Sequence, residues 1–298
     1  MADNQGNIIA DSYQLDKPAM SYGFHIKGAS NYDWGMKNRL SRIFRKDGKS
    51  VMLAFDHGYI MGPTSGLERL DLCIPPLAAY ADCLMGTRGA LRAALPAYYT
   101  NGIIVRSTAG SSVLRDDMSL EVIGVEMEDA VRLNASCVAI QSFIGSENEC
   151  NSIKNIVNSI DAGYRCGMPV LGVVAVGKQM ERTPAFFKLA TRMLAEFGAQ
   201  IVKTYYCDGF DEVVAACPVP IVIAGGKKLP ELEALQMTYN AIQQGASGVD
   251  MGRNVFQAEH PVAMLKSINA IVHDNIDAKQ AYELYLHEKQ PTGGYHEL

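Results

Sequence analysis

The amino-acid sequence predicts an α/β fold, a single (β/α)8 or TIM barrel preceded by an N-terminal extension. Three observations carry that reading. There are eight short apolar runs rich in Val, Ile and Leu, helical periodicity between several of them, and a spacing of about 28 residues per unit from Val51 to Ser247. In order the runs are Val51–Asp56, Asp82–Gly86, Gly102–Arg106, Cys137–Gln141, Met168–Val174, Gln200–Thr204, Val219–Ile223 and Gly248–Gly252. Each is bounded by Gly or a polar cluster, as strands buried on both faces are. Between them, Ile153, Ile156, Val157 and Ile160 repeat at i, i+3, i+4, i+7, and Gly163 is expected to end that helix. Pro184 to Gly198 has Pro just inside its start and Gly at its end, with Phe186, Leu189, Ala190, Met193, Leu194 and Phe197 as the expected core stripe. Pro230 to Gly245 repeats the design, with Leu232, Leu235, Tyr239 and Ile242 facing inward. Strand, helix and strand in alternation require parallel crossovers. Gly198-Ala-Gln-Ile-Val-Lys203 and Gly245-Ala-Ser-Gly-Val-Asp250 echo one another, each a helix end turning into a strand. A doubly wound open sheet is the runner-up, but no G-x-G-x-x-G follows the first strand.

Residues 1–50, with the only tryptophan, Trp34, and the basic stretch Arg39–Lys46, precede the barrel and are expected to cap its base or touch another subunit. The catalytic barrel is placed at 51–289 and a flexible tail at 290–298.

Composition narrows the function. The chain has 298 residues, 48% hydrophobic and 20% charged, with a formal charge of −5. A pI near 5.7 and mean hydropathy of −0.01 give neither a basic footprint for nucleic acid nor a membrane partner. The first residues lack the charged and apolar regions of a secretory signal, so a cytoplasmic enzyme is expected. Seven cysteines at 73, 83, 137, 150, 166, 207 and 217 form no C-x-x-C pair and are expected to be reduced and buried.

In such barrels the working residues project from the carboxyl ends of the strands. Lys203 stands out because it interrupts the apolar run Gln200–Thr204, where a desolvated amine gains free-base character suited to imine formation. Asp56 and His57 close the first strand on a turn that Gly58 permits. Both enter one site only if His57 already lies on the loop. Asp56 is the expected proton acceptor or lysine partner, and His57 the expected acid/base or substrate contact. Gly225 and Gly226 after the seventh strand, with Gly252 and Arg253 after the eighth, fit a phosphate site of backbone N–H groups and one planar cation. Arg88, Arg106, Gln141, Lys178 and Tyr205 also stand near strand ends, as substrate contacts or loop ion pairs. Cys207 has no His or Asn placed in sequence to activate it as an acyl carrier. Of the histidines at 25, 57, 260, 273, 287 and 296, only His57 is at a strand end. A three-histidine zinc site is therefore not expected, while an oxygen-ligated magnesium stays open.

The set Leu53-Ala-Phe-Asp-His-Gly58, Val202-Lys-Thr-Tyr205, Val222-Ile-Ala-Gly-Gly226 and Gly248-Val-Asp-Met-Gly-Arg-Asn254 resembles the class I, Schiff-base aldolase family that includes archaeal-type fructose-bisphosphate aldolases. The resemblance spans nearly the whole barrel and makes Lys203 the imine-forming lysine and the two glycine loops phosphate binders. Asp33-Trp-Gly-Met36, Arg39–Phe44, Asp129–Asn134, Gly225–Pro230 and Ala281–Leu286 are similar to a thiolase branch of that family. That branch implies acetyl transfer from 3-hydroxy-5-phosphonooxypentane-2,4-dione to coenzyme A as co-substrate, giving dihydroxyacetone phosphate and acetyl-CoA in phospho-autoinducer-2 degradation. No permanently bound cofactor is implied, and a ring-based homo-oligomer, such as a decamer, is. Where the aldolases carry a proton-transfer tyrosine after the fifth strand, this chain reads Val173-Val-Ala-Val-Gly-Lys178. The competing readings are a sugar-phosphate aldolase that needs no coenzyme A and a non-catalytic sugar-phosphate binding protein.

Overall fold

The computed structural model describes residues 12–18, 23–176 and 181–289. The 290–298 tail lies outside them. Eight parallel strands close into a barrel: β1 (Ser50–Ala54), β2 (Cys83–Thr87), β3 (Gly102–Arg106), β4 (Cys137–Ser142), β5 (Val170–Val174), β6 (Ile201–Tyr205), β7 (Ile221–Ala224) and β8 (Gly248–Met251). Each pairs with its neighbour in sequence, and β8 closes on β1 with Met52 opposite Asp250. All eight expected runs supply a barrel strand.

Alternation divides the strand residues between two cores. One set, including Val51, Leu84, Val105, Val202 and Val249, packs outward against the helices. The inward set, Met52, Cys83, Ile104, Cys137, Leu171 and Ile201, packs inside the barrel with Met36, Leu40, Ile43 and Phe44. Those four come from the helix Trp34–Leu40, capped by Asp33, and the turn after it, so the N-terminal stretch forms the floor of the barrel. Trp34 itself is 79% exposed.

The helices depart from the expected pattern in two ways. Helix Glu149–Cys166 runs past Gly163 to a left-handed cap at Gly167 (φ 65°), because Gly163 is needed for close packing: a Cβ there would lie 2.4 Å from the carbonyl oxygen of Met168. In Pro184–Glu196 and Glu231–Gln243 the buried stripe is rotated, so that Phe187 and Ala234 face the core while Leu189 and Leu232 face out. Phe187, Leu194 and Leu235 fill the contact with the barrel, and Leu189 and Leu232 lie on the shoulder outside it. A two-stranded hairpin, Thr108–Gly110 with Glu121–Ile123, is inserted after β3. Its three-residue strands are too short to read by periodicity. The helix Ala278–Glu288, opened by a capping box at Asp277, completes the outer layer.

Candidate active site

At the carboxyl end of the barrel the inward positions turn from apolar to polar. Lys203 on β6 is 9% exposed, and its Nζ lies 2.7 Å from Oδ2 of Asp250 on β8, which is 1% exposed. Burial pushes the Asp250 carboxyl above its ordinary range, against the pull of Lys203 beside it. Asp250 is therefore the lysine's partner.

Asp56, expected in that role, pairs instead with Arg106 of β3, Nη1 to Oδ2 at 3.0 Å. Burial would raise the Asp56 carboxyl, but Arg106, His57 and Lys203 outweigh it and hold it below the ordinary value. Arg106 is fixed from behind by the hairpin. Its Nη2 donates to Oε1 and Oε2 of the buried Glu121 at 2.9 and 3.1 Å and to the Tyr59 hydroxyl, while Nε donates to Thr108 at 3.0 Å. Tyr59 and Gln141 also donate to Glu121, at 2.9 and 3.2 Å. Sequence reasoning missed Glu121 and Tyr59, because the hairpin that delivers the carboxylate left no periodic signal.

His57 sits beyond the end of β1 in a helical turn, which brings it and Asp56 to the same cleft. Its ring packs edge-on against Phe256 at 5.4 Å and over Gly252, where a Cβ would lie 2.5 Å from Cε1. Among the described residues its buried Nδ1 has no hydrogen-bond partner. Burial lowers the His57 pKa, Asp56 opposes, and Lys203 and Arg253 lower it further.

The cleft, about 180 Å³, also has Gly225, Gly226, Gly252 and Arg253 on its wall. Asn254, wholly buried, ties the two loops together, donating to the Gly225 carbonyl at 2.7 Å and accepting from Leu229 N–H at 2.8 Å. Arg253 opens a short helix, Arg253–Phe256, and its buried Nε has no partner among the described residues. A second cation, Arg182, stacks on the Tyr205 ring at 4.0 Å beside Gly226. No spacing in the sequence announces it.

Arg106, Gln141 and Tyr205 line the cleft, and Arg88 does not. Lys178 lies outside the described residues. Burial raises the Cys207 thiol pKa, which disfavours the thiolate. Among the described residues no group of three or more His, Cys, Asp or Glu is placed to hold a metal ion, and no helix is long and apolar enough to cross a membrane.

A closed (β/α)8 barrel with a buried lysine on β6, a carboxylate facing it and glycine loops after β7 and β8 defines an enzyme of the aldolase-barrel class. Known proteins narrow the class. The chain belongs to the DeoC/LacD family of aldolases, whose profile matches residues 50–258. The 3-hydroxy-5-phosphonooxypentane-2,4-dione thiolase of Escherichia coli (strain K12) is 55% identical over 292 residues, covering 97% of this chain and 100% of that protein. The thiolase of that name from Salmonella typhimurium (strain LT2) is 56% identical over 291 residues, with the same shares covered. Among solved structures, an archaeal fructose 1,6-bisphosphate aldolase superposes with a TM-score of 0.71 at 26% identity, covering 80% of this chain and 99% of that one. Another, at TM-score 0.70 and 25% identity over 80% of this chain and 99% of that one, is described with its catalytic Lys covalently bound to the carbinolamine intermediate of the substrate.

Proposed function

We propose that this enzyme is a thiolase that transfers the acetyl group of 3-hydroxy-5-phosphonooxypentane-2,4-dione to coenzyme A, giving dihydroxyacetone phosphate and acetyl-CoA in phospho-autoinducer-2 degradation. The observation that carries it is 54–56% identity over 97% of the chain to thiolases named for that dione. The site supplies matching chemistry. Gly225, Gly226, Gly252 and Arg253 hold the phosphate, with Arg182 at the edge. Asp250 takes the proton of the Lys203 ammonium, and the free amine condenses with the carbonyl next to the phosphate-bearing carbon, releasing water. The iminium is an electron sink one bond from the scissile carbon–carbon bond. Thiol attack on the acetyl carbonyl then breaks that bond, leaving the electron pair as an enamine on Lys203. His57, neutral and with Nδ1 unpartnered, takes the thiol proton and returns it to the enamine carbon, while the charge of the nearby Asp56 favours the transient imidazolium. Hydrolysis of the imine restores Lys203 and releases dihydroxyacetone phosphate.

Val173 and Val174 line the cleft on β5. The cleft's phenols, Tyr59 and Tyr205, thus come from elements other than β5, after which the resembling aldolases carry their proton-transfer tyrosine. The reaction is placed in the cytoplasm, with the chain in a homo-oligomer. The test is borohydride trapping with dihydroxyacetone phosphate, peptide mapping of the adduct, and acetyl-CoA formation from the dione. An adduct on Lys203 with coenzyme A-dependent turnover supports the thiolase. An adduct without it favours a sugar-phosphate aldolase, and no adduct leaves a phosphate-binding barrel.

A further inference from the structure

The phosphate loops occupy the β7–β8 side of the cleft, and across the barrel the Met85 sulfur of β2 lies 3.9 Å from Lys203 Nζ. A substrate anchored by its phosphate therefore points its acyl end at the wall formed by Asp56, Tyr59 and Arg106. Two recesses meet around Tyr59 at that wall. One, of about 190 Å³, is bounded by Tyr59, Thr87, Arg88, Gly89 and Arg106. The other, of about 430 Å³, is bounded by Gly58, Tyr59, Gly62, Leu67, Leu70 and Ala90, and falls in the size range of small-molecule sites, roughly 300–1,000 Å³. Tyr59 borders both recesses and the catalytic cleft, and Arg106 borders the cleft and the first recess.

Two independent features mark this groove as built for a ligand. Gly58 and Gly89 both lie in helices, neither has a positive φ, and a Cβ at either would meet nothing within 4 Å. Neither a positive φ nor packing requires glycine there. What the two glycines provide is bare backbone along the groove. The second feature is charge. At the mouth, Arg88 and Arg92 share one carboxylate, Asp129, at 2.6 and 3.5 Å, and Arg132 follows one turn later on the Asp129 helix. Two guanidinium groups thus share one carboxylate at the mouth, with Arg132 beside them and Glu126 and Glu128 at the start of the same short helix.

We propose that the groove around Tyr59 is the acceptor-thiol site: the pantetheine arm of coenzyme A runs past Gly58 and Gly89 to the cleft, and its phosphorylated nucleotide rests on Arg88, Arg92 and Arg132. This rests on the thiolase reading and adds where the acceptor binds. Gly89→Leu fills the first recess with a good helix former, and the double variant Arg88→Gln/Arg92→Gln removes charge at the exposed mouth. Each variant of the full-length enzyme is assayed for borohydride trapping with dihydroxyacetone phosphate and for turnover of the dione with coenzyme A and with N-acetylcysteamine. Gly89→Leu is expected to raise the KM for coenzyme A at least tenfold with trapping unchanged. The double variant is expected to raise the KM for coenzyme A about tenfold and leave that for N-acetylcysteamine unchanged. A KM for coenzyme A that neither variant moves overturns the assignment while the thiolase stands. Trapping in the parent enzyme without turnover of either thiol overturns the thiolase reading, and the acceptor site with it.

Discussion

A lysine attacks a carbonyl only as the free amine, so its proton needs an acceptor within reach. For Asp250 burial dominates, so its carboxyl is the natural acceptor of the Lys203 proton. Asp250→Asn keeps the shape and removes the acceptor. Borohydride trapping should slow by about 100-fold, the lower end of general-base contributions. His57 gives the pH dependence. Its pKa is lowered from 6.5, chiefly by burial, so it is neutral at pH 7 and charges only as the pH falls through a value below 6.5. The rate should therefore decline on the acid side below 6.5, and a kcat profile of His57→Gln should lack that limb. Lys203 was legible in the sequence because a cation interrupts an apolar strand. Asp250 interrupts β8 in the same way, but its flanking glycines draw the eye to loop chemistry. The echo between Gly198–Lys203 and Gly245–Asp250 holds the missing signal, since it sets lysine and aspartate at matching positions of two strands that aim at each other.

Elements bring in what no single residue announces. The eight strands were legible because both their faces are buried and the runs are apolar throughout. The helical stripes were legible in part: Ile156, Ile160, Ala190, Leu194, Leu235 and Ile242 are buried as expected, while Leu189 and Leu232 fall just off the buried face. The hairpin after β3 was not legible at all, yet it carries Glu121 and through Arg106 sets Asp56. At the opposite end, His273 of helix Pro261–Asp274 bridges Asp47, at 2.7 Å, and Asp82, at 2.9 Å, joining the segment before β1 to the start of β2. Burial alone would lower its pKa, but hydrogen bonds to Asp82 and Asp47 outweigh it and raise it. A raised histidine pKa stabilises the fold fully below about 6.5 and loses that contribution as the pH climbs through the folded-state value. Denaturant unfolding at pH 6 and pH 9 should show that His273→Gln costs more stability at pH 6.

The molecule as a whole is a barrel with a floor. Leu40 is fully buried among the inward strand residues. Leu40→Ala should cost about 2–5 kcal/mol by the cavity it leaves. Its denaturation midpoint should fall while kcat stays near that of the parent, because the floor lies at the end of the barrel away from Lys203. The apolar runs made an α/β chain legible, and the expectation that the N-terminal stretch caps the base is met by Met36, Leu40, Ile43 and Phe44, which repeat at i, i+4, i+7 and i+8 as one helical face does. The floor also imposes an order of events. With the floor end sealed, both proposed reactants reach Lys203 from the carboxyl end of the barrel, and a dione seated first leaves the Tyr59 groove open to a long thiol. On that proposal the thioester leaves ahead of the ketone phosphate, a last-in, first-out stack whose order product-inhibition kinetics would read.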